Sequence, residues 1–259
     1  MEALLRRDRW LVIAGLVISI CLCWAWLLPA ALDMQGDMDG ISAWMMNAQW
    51  DVPYALSILA MWIAMMIGMM LPSAAPTLLL YVHICRSEKS DASPMRRVYA
   101  FAAGYLLAWA AFSLLATFLQ WVLFEARLLD MMMHSSSRIM SGVLLIAAGI
   151  YQWTQIKQRC LGRCRSPAAF ISDHWRRGVA GALRMGFEHG LFCLGCCWAL
   201  MLLLFVGGVM SLVWIAAITA LVLLEKLLPV GVFAGRVAGA LIMAAGLWNL
   251  IQAYTATGG

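Results

Sequence analysis

A histidine and three cysteines share one face of an apolar segment in the second half of the sequence. They lie in HGLFCLGCCW, residues 189–198. At about 100° per residue on a helix, His189, Cys193 and Cys196 form one stripe, with Cys197 displaced by roughly 80°. Thiolate and imidazole suit Cu(I) best and Zn(II) less well, whereas Mg(II) and Ca(II) need oxygen ligands. The spacing predicts a soft-metal site, although buried free cysteines also pack as small hydrophobic residues.

A run of methionines supplies a second set of soft donors. In MWIAMMIGMMLPSAAP, residues 61–76, Met65 and Met69 lie on one helical face, and Met66 and Met70 lie on a neighbouring face. This ladder predicts either a path for a soft metal or ordinary packing, because methionine is also a common core filler. We expect Pro72 and Pro76 to break the helix below the ladder, with His83 at its inner end.

Two further features add ligands or charge near the same segment. CLGRC places Cys160 and Cys164 among basic residues, where a pair of thiols can receive a metal or exchange electrons with another pair. Two cysteines are too few for a closed structural zinc site. Glu188 precedes His189 and predicts either an ion pair with Arg184 one turn earlier or a role in moving protons or neutralising a passing cation.

The composition places these residues in a membrane. The chain has 259 residues, of which 64% are hydrophobic and only 12% are charged, too few charges for the surface of a soluble domain. Apolar runs of about 20 residues predict transmembrane helices. Seven such runs are present, at about 10–32, 54–84, 97–124, 137–155, 180–206, 209–228 and 231–254. We therefore expect an all-α, polytopic transmembrane bundle of about seven spans.

The charges predict how this bundle is oriented. With the N-terminus in the cytoplasm, every Lys and Arg except Arg127 and Arg138 falls on the inner side, as the positive-inside rule requires. The net charge of +5 is explained by this topology, so no nucleic-acid partner is expected. The longest inner connection is predicted at about 156–179, with HWRR (174–177) at the lipid headgroups.

The chain divides into an N-terminal part and a larger membrane domain. Residues 1–53 are interpreted as a membrane anchor followed by an outer loop with a short interfacial helix, and residues 54–259 as a domain of six spans. The predicted outer side is rich in methionine and acidic residues. Its soft donors are Met34, Met38, Met45, Met46 and the MMMH stretch at 131–134. These outer segments either attract a cation through their acidic and sulfur-bearing side chains or are ordinary solvated loops.

Several motifs together resemble a known bacterial family of predicted metal-binding integral membrane proteins, a domain of unknown function. They are MMIGMMLPSAAP, KQRCLGRCRSP, GALRMGFEHGLFCLGCCWALM and EKLLP, and the resemblance covers roughly residues 54–254. It implies a multi-pass protein of the bacterial inner membrane that binds a metal. The implied ligands are His189, Cys193, Cys196, Cys197, Cys160, Cys164, Met65, Met66, Met69 and Met70.

The predicted function is Cu(I) handling: transport, storage, or delivery to a metallochaperone or an apo-metalloprotein. One alternative is a thiol-disulfide electron conduit between the fifth span and Cys160 with Cys164. Others are a haem protein with His83 and His189 as axial ligands, and a structural subunit. No P-loop, paired-carboxylate site or serine triad is visible in the sequence, so hydrolytic chemistry is not indicated and an enzymatic role is left open.

Overall fold

The described part of the chain is built from helices. The computed structural model describes residues 13–25, 28–29, 50–87, 94–128 and 137–257, and these contain no strand. The helices are α1 (Ile13–Ala25), α2 (Val52–Ser87), α3 (Pro94–Glu125), α4 (Arg138–Trp153), α5 (Gln155–Arg165), α6 (Pro167–Asp173), α7 (Gly178–Leu202), α8 (Leu204–Gly207), α9 (Leu212–Leu227) and α10 (Gly231–Thr257). The predicted all-α class is confirmed over these residues.

Four helical segments are long and apolar enough to cross a membrane. They are α2, α3, the stretch Gly178–Gly207 and α10, and a fifth results if α4 and α5 form one span bent by 62°. Neither the predicted seven spans nor the cytoplasmic N-terminus is shown by the structure. The helix α9 has 16 residues, or about 24 Å, which is less than the roughly 30 Å of a bilayer core. Most of residues 1–53 lie outside the described part of the chain.

The prediction that Pro72 and Pro76 break their helix is wrong. The helix α2 runs without interruption from Val52 to Ser87 with both prolines inside it. A proline removes one backbone donor, and neighbouring side chains can compensate for the disturbed hydrogen bonding. The Tyr105 and Ser73 hydroxyls donate to the carbonyl of Met70, just before the first proline, at 3.0 and 2.8 Å. The carbonyls that the prolines leave without a helical donor are those of Gly68 and Pro72, four residues earlier.

The predicted inner connection at 156–179 is mostly helical, which corrects its interpretation as a loop. The Thr154 hydroxyl caps α5 by accepting from the Lys157 amide, and the chain bends there by 62°. The short helix α6 follows after Ser166. Because α5 turns back and packs against α7, Cys160 and Cys164 lie on a helix next to the membrane segment.

Glycines allow α3 and α7 to cross at backbone contact. A Cβ at Gly186 would lie 1.9 Å from the carbonyl oxygen of Phe101, and one at Gly104 would lie 2.0 Å from that of Leu183. At Gly190 a Cβ would lie 2.5 Å from the Cβ of Ala108. Gly186 and Gly190 therefore both lie at the contact between α3 and α7. This crossing brings Tyr105 on α3 to the face of α7 that carries the cysteines.

Candidate metal site

Four cysteines from two helices meet inside the bundle. Cys193, Cys196 and Cys197 on α7 are each 1% exposed. The thiols of Cys196 and Cys197 donate to the carbonyl oxygen of Cys193, at 3.0 and 2.9 Å. The partly buried Cys164 on α5 is an electrostatic neighbour of the thiols of Cys193 and Cys196. The two cysteine groups, which are separate in the sequence, therefore lie side by side in the bundle.

Gly195 allows α5 to approach this part of α7. A Cβ at Gly195 would lie 2.8 Å from the sulfur of Cys160, which is closer than real Cβ contacts. Cys160 is partly buried at this position. The C-x-x-x-C spacing places Cys160 and Cys164 one helical turn apart on α5, and both lie along α7.

The methionine ladder of α2 reaches the cysteines at its last member. Met65, Met66, Met69 and Met70 are all fully buried. The sulfur of Cys197 lies 3.9 Å from the sulfur of Met70, whereas among the described residues no hydrogen bond joins the other three methionines to a cysteine. The structure thus places all four predicted methionines in the core and brings Met70 to the thiols.

His189 is buried among aromatic rings and has one unsatisfied nitrogen. Its side chain is 2% exposed, and its ring centre lies 4.9 Å from that of Phe170 and 5.8 Å from that of Tyr105. The Tyr105 hydroxyl is in turn 3.2 Å from the sulfur of Cys193. The Nδ1 atom of His189 has no hydrogen-bond partner. Buried polar atoms are nearly always paired, so a buried nitrogen without a partner is a candidate for binding a metal ion.

Lys226 enters the cysteine cluster, which the sequence pattern did not predict. Its ammonium donates to the sulfur of Cys193 at 2.9 Å and to the hydroxyl of Ser73 at 3.1 Å. The side chain is buried, at 7% exposure, although the charge pattern places it in an inner connection. The sequence does contain one indication that Lys226 is functional. It lies inside the apolar run LVLLEKLLPV, 221–230, and a charge in such a run is by default a candidate functional residue.

A buried ion pair beside Lys226 holds three helices together. The Lys157 ammonium on α5 contacts the carboxylate of Glu225 on α9 at 2.6 Å, and both side chains are 1% exposed. The side-chain amide of Gln152 on α4 donates to the same carboxylate at 3.0 Å. The Lys157 ammonium also donates to the amide oxygen of Gln152. Glu225 is thereby occupied by its own partners, and the neighbouring Lys226 faces the thiols.

Two predicted residues lie apart from the cluster. Glu188 accepts from Arg184 at 3.1 Å and from Arg176 at 3.3 Å, so the ion pair that was one of its two interpretations is present. Its role in proton or cation movement stays a prediction. His83 is exposed on α2, and within the described part of the chain no hydrogen bond or ring contact joins it to the cysteines or to His189.

The cluster is not arranged as a closed metal shell. Among the described residues, no group of three or more His, Cys, Asp or Glu side chains is positioned to hold a metal ion. One reason is that the Cys196 and Cys197 thiols turn back to the Cys193 carbonyl. The assignment of metal ligands therefore stays a prediction. The predicted outer donors, Met34, Met38, Met45, Met46 and residues 131–134, lie outside the described residues.

Comparison with known protein families gives a match over most of the chain. No curated protein and no solved structure matches the chain. The model of the PpoB2 family, described as a copper chaperone, matches residues 59–249. This match includes the methionine ladder, both cysteine groups and Lys226. Because it spans well over half of the sequence, the chain belongs to the PpoB2 copper chaperone family.

Proposed function

We propose that this protein binds Cu(I) on buried sulfur atoms inside a membrane bundle and delivers it to a partner protein. The observation that carries the proposal is the meeting of Cys197 on α7 and Met70 on α2, whose sulfurs are 3.9 Å apart. A metal–thiolate bond is about 2.3 Å long, so two sulfurs bound to one ion can be up to about 4.6 Å apart. These two sulfurs are within reach of a single ion without movement of the helices.

The donor types favour a soft, monovalent ion. Thiolate and thioether sulfur select Cu(I), and Zn(II) is the weaker alternative. Cys193 lies beside the pair, since the Cys197 thiol already contacts its carbonyl. The unpartnered Nδ1 of His189 is an additional donor one helical turn away. A rotation of the Cys196 side chain away from the Cys193 carbonyl would bring a further sulfur to the ion.

The order of the donors suggests a route for the ion. Met65, Met66 and Met69 lead along α2 to Met70, which contacts Cys197. Cys164 then connects the cluster to α5. We propose that the ion enters along the methionines and leaves through Cys164 and Cys160 to a metallochaperone or an apo-metalloprotein. The opposite direction uses the same residues.

We further propose that the bundle lies in the bacterial inner membrane with seven passes and a cytoplasmic N-terminus. This count includes the short helix α9, because a bilayer can thin around a span that is a few ångströms too short. Large apolar side chains cover the outside of α10, with Phe233 71% and Trp248 61% exposed. Extended apolar patches of this kind mark contact with lipid or another protein. Reporter fusions at the N-terminus and after α7, which is the fifth pass, test the topology. A cytoplasmic signal at the N-terminus and a periplasmic signal after α7 support it, and a periplasmic signal at the N-terminus contradicts it.

Metal analysis of the purified protein tests the proposed function. We expect about one copper per chain after expression with copper, and loss of that copper in the double variant His189→Ala, Cys193→Ser. The matched control is Cys21→Ser, because Cys21 is an exposed cysteine on α1, and it should bind as the wild type does. Zinc alone, or no metal in the wild type, would contradict the proposal.

The proximity of Cys164 to Cys193 also supports a second candidate, the thiol-disulfide conduit. All eight cysteines are free thiols in the structure. If the conduit operates, mild oxidation should produce a disulfide that requires both Cys164 and Cys193, seen as a gel mobility shift. The exposed position of His83 gives no support to haem ligation by His83 and His189, and a Soret band would be needed to revive that alternative.

A further inference from the structure

The ammonium of Lys226 is a fixed positive charge inside the sulfur cluster. It donates to the Cys193 sulfur at 2.9 Å, and its other partner is the neutral hydroxyl of Ser73 at 3.1 Å. The thiols of Cys196, Cys197 and Cys164 are its further electrostatic neighbours. Among the described residues no carboxylate pairs with Lys226, because the neighbouring Glu225 is bound by Lys157 and Gln152.

Two hydrogen bonds and burial hold this charge in place. Lys226 lies in the last turn of α9, and only 7% of the residue is exposed. Its two partners come from different helices, Ser73 from α2 and Cys193 from α7. An ammonium that is out of water interacts with other charges more strongly than one at the surface, because the surrounding dielectric is low. An ion bound to Cys193 will therefore feel this charge.

We propose that Lys226 determines the charge of the metal that the site accepts and favours monovalent Cu(I) over divalent Zn(II). This inference rests on the proposed function. The repulsion between the ammonium and a bound ion is proportional to the ion's charge, so it is twice as large for Zn(II) as for Cu(I). Sulfur softness alone does not exclude zinc, since thiolates are also its ordinary ligands. The fixed charge adds to the preference for Cu(I) that the sulfur ligands already give.

Substitutions that remove the charge test this role. Lys226→Gln keeps the ability to donate hydrogen bonds and loses the charge, whereas Lys226→Leu loses both. Lys226→Arg is the matched control, because it keeps the charge on a long side chain. Each purified protein is titrated with Cu(I) and with Zn(II) under reducing, anaerobic conditions against chromophoric chelators.

We expect the ratio of Zn(II) to Cu(I) affinity to rise by about tenfold or more in the two uncharged variants and to stay near the wild-type value in Lys226→Arg. An unchanged ratio in whichever uncharged variant elutes as a folded, monodisperse protein would overturn the role of Lys226. Failure of the wild type to bind Cu(I) would instead overturn the proposed function, so the two failures are distinguishable.

Discussion

The buried ion pair between Lys157 and Glu225 predicts strong energetic coupling between α5 and α9. The two side chains are each 1% exposed and 2.6 Å apart. Glu225→Gln leaves the Lys157 ammonium buried without a counter-charge, and Lys157→Met leaves the carboxylate with Gln152 as its remaining partner. In the double variant, two amides at positions 152 and 225 can pair with each other, and neither position 157 nor position 225 carries a buried charge.

The expected magnitudes follow from burial. Removing one partner of a buried ion pair costs about 3–5 kcal/mol, whereas replacing both is often close to neutral. Each single variant should therefore lose about 3–5 kcal/mol of unfolding free energy. The double variant should recover at least about 2 kcal/mol of the summed loss, which is a coupling well beyond ordinary additivity.

Denaturant titration in detergent micelles, followed by tryptophan fluorescence, measures these free energies. The control pair is Arg163 and Asp173, an ion pair whose side chains are 42% and 52% exposed. Its removal should change stability by less than about 1 kcal/mol. Additive losses below about 1 kcal/mol for Lys157→Met and Glu225→Gln would refute the reasoning, since they would mean that water reaches the pair.

Three further substitutions probe the packing and the ligands. Gly186→Ala should lower the unfolding temperature and the bound copper, because its Cβ would lie 1.9 Å from the Phe101 carbonyl oxygen, whereas Gly162→Ala, with nothing within 4 Å, should lower neither, since alanine is the better helix former. Trp62→Phe should cost about 1–3 kcal/mol of unfolding free energy in denaturant titration, because it removes the 2.7 Å hydrogen bond to Gln120. Met70→Leu should weaken Cu(I) binding about tenfold, or about 1.4 kcal/mol, in chelator competition, and Met210→Leu should not. Equal affinities in the two methionine variants would remove Met70 from the site.

Helical periodicity was sufficient to predict which side chains face the interior. His189, Cys193, Cys196 and Cys197 are all buried, as are Met65, Met66, Met69 and Met70. A repeat of about 3.6 residues per turn defines a face, and in an apolar bundle the face with polar or soft side chains turns inward. Periodicity within one helix carries no information about its neighbours, so it did not reveal that the sulfur of Met70 lies close to that of Cys197.

The basic residues show where a charge pattern misleads. Lys157 and Lys226 fit the positive-inside pattern, yet both are buried and bonded to groups on other helices. Counting charges assigns a side of the membrane, but a lysine near a helix end can turn either to water or to a partner in the bundle. The partners of these two lysines are distant in sequence, Glu225 for Lys157 and Cys193 for Lys226, so local reasoning could not identify them.

The bend at Thr154 explains why the inner connection was misjudged. Residues 156–179 are basic and contain Pro167, which is typical of a solvated connection. The chain instead forms α5, which is bent by 62° from α4 and packs against α7. The close approach at Gly195, where a Cβ would lie 2.8 Å from the Cys160 sulfur, makes this packing feasible. As a result Cys164 joins the cluster from which the sequence pattern separates it.

X-ray absorption at the copper edge of the Cu(I)-loaded protein tests the central claim most directly. Binding at the buried cluster predicts a Cu(I) edge and sulfur scatterers at about 2.3 Å, with fewer sulfur scatterers in the Cys193→Ser, Cys197→Ser double variant. A shell of only nitrogen and oxygen, or an undiminished number of sulfur scatterers in that variant, would contradict binding at Cys193 and Cys197.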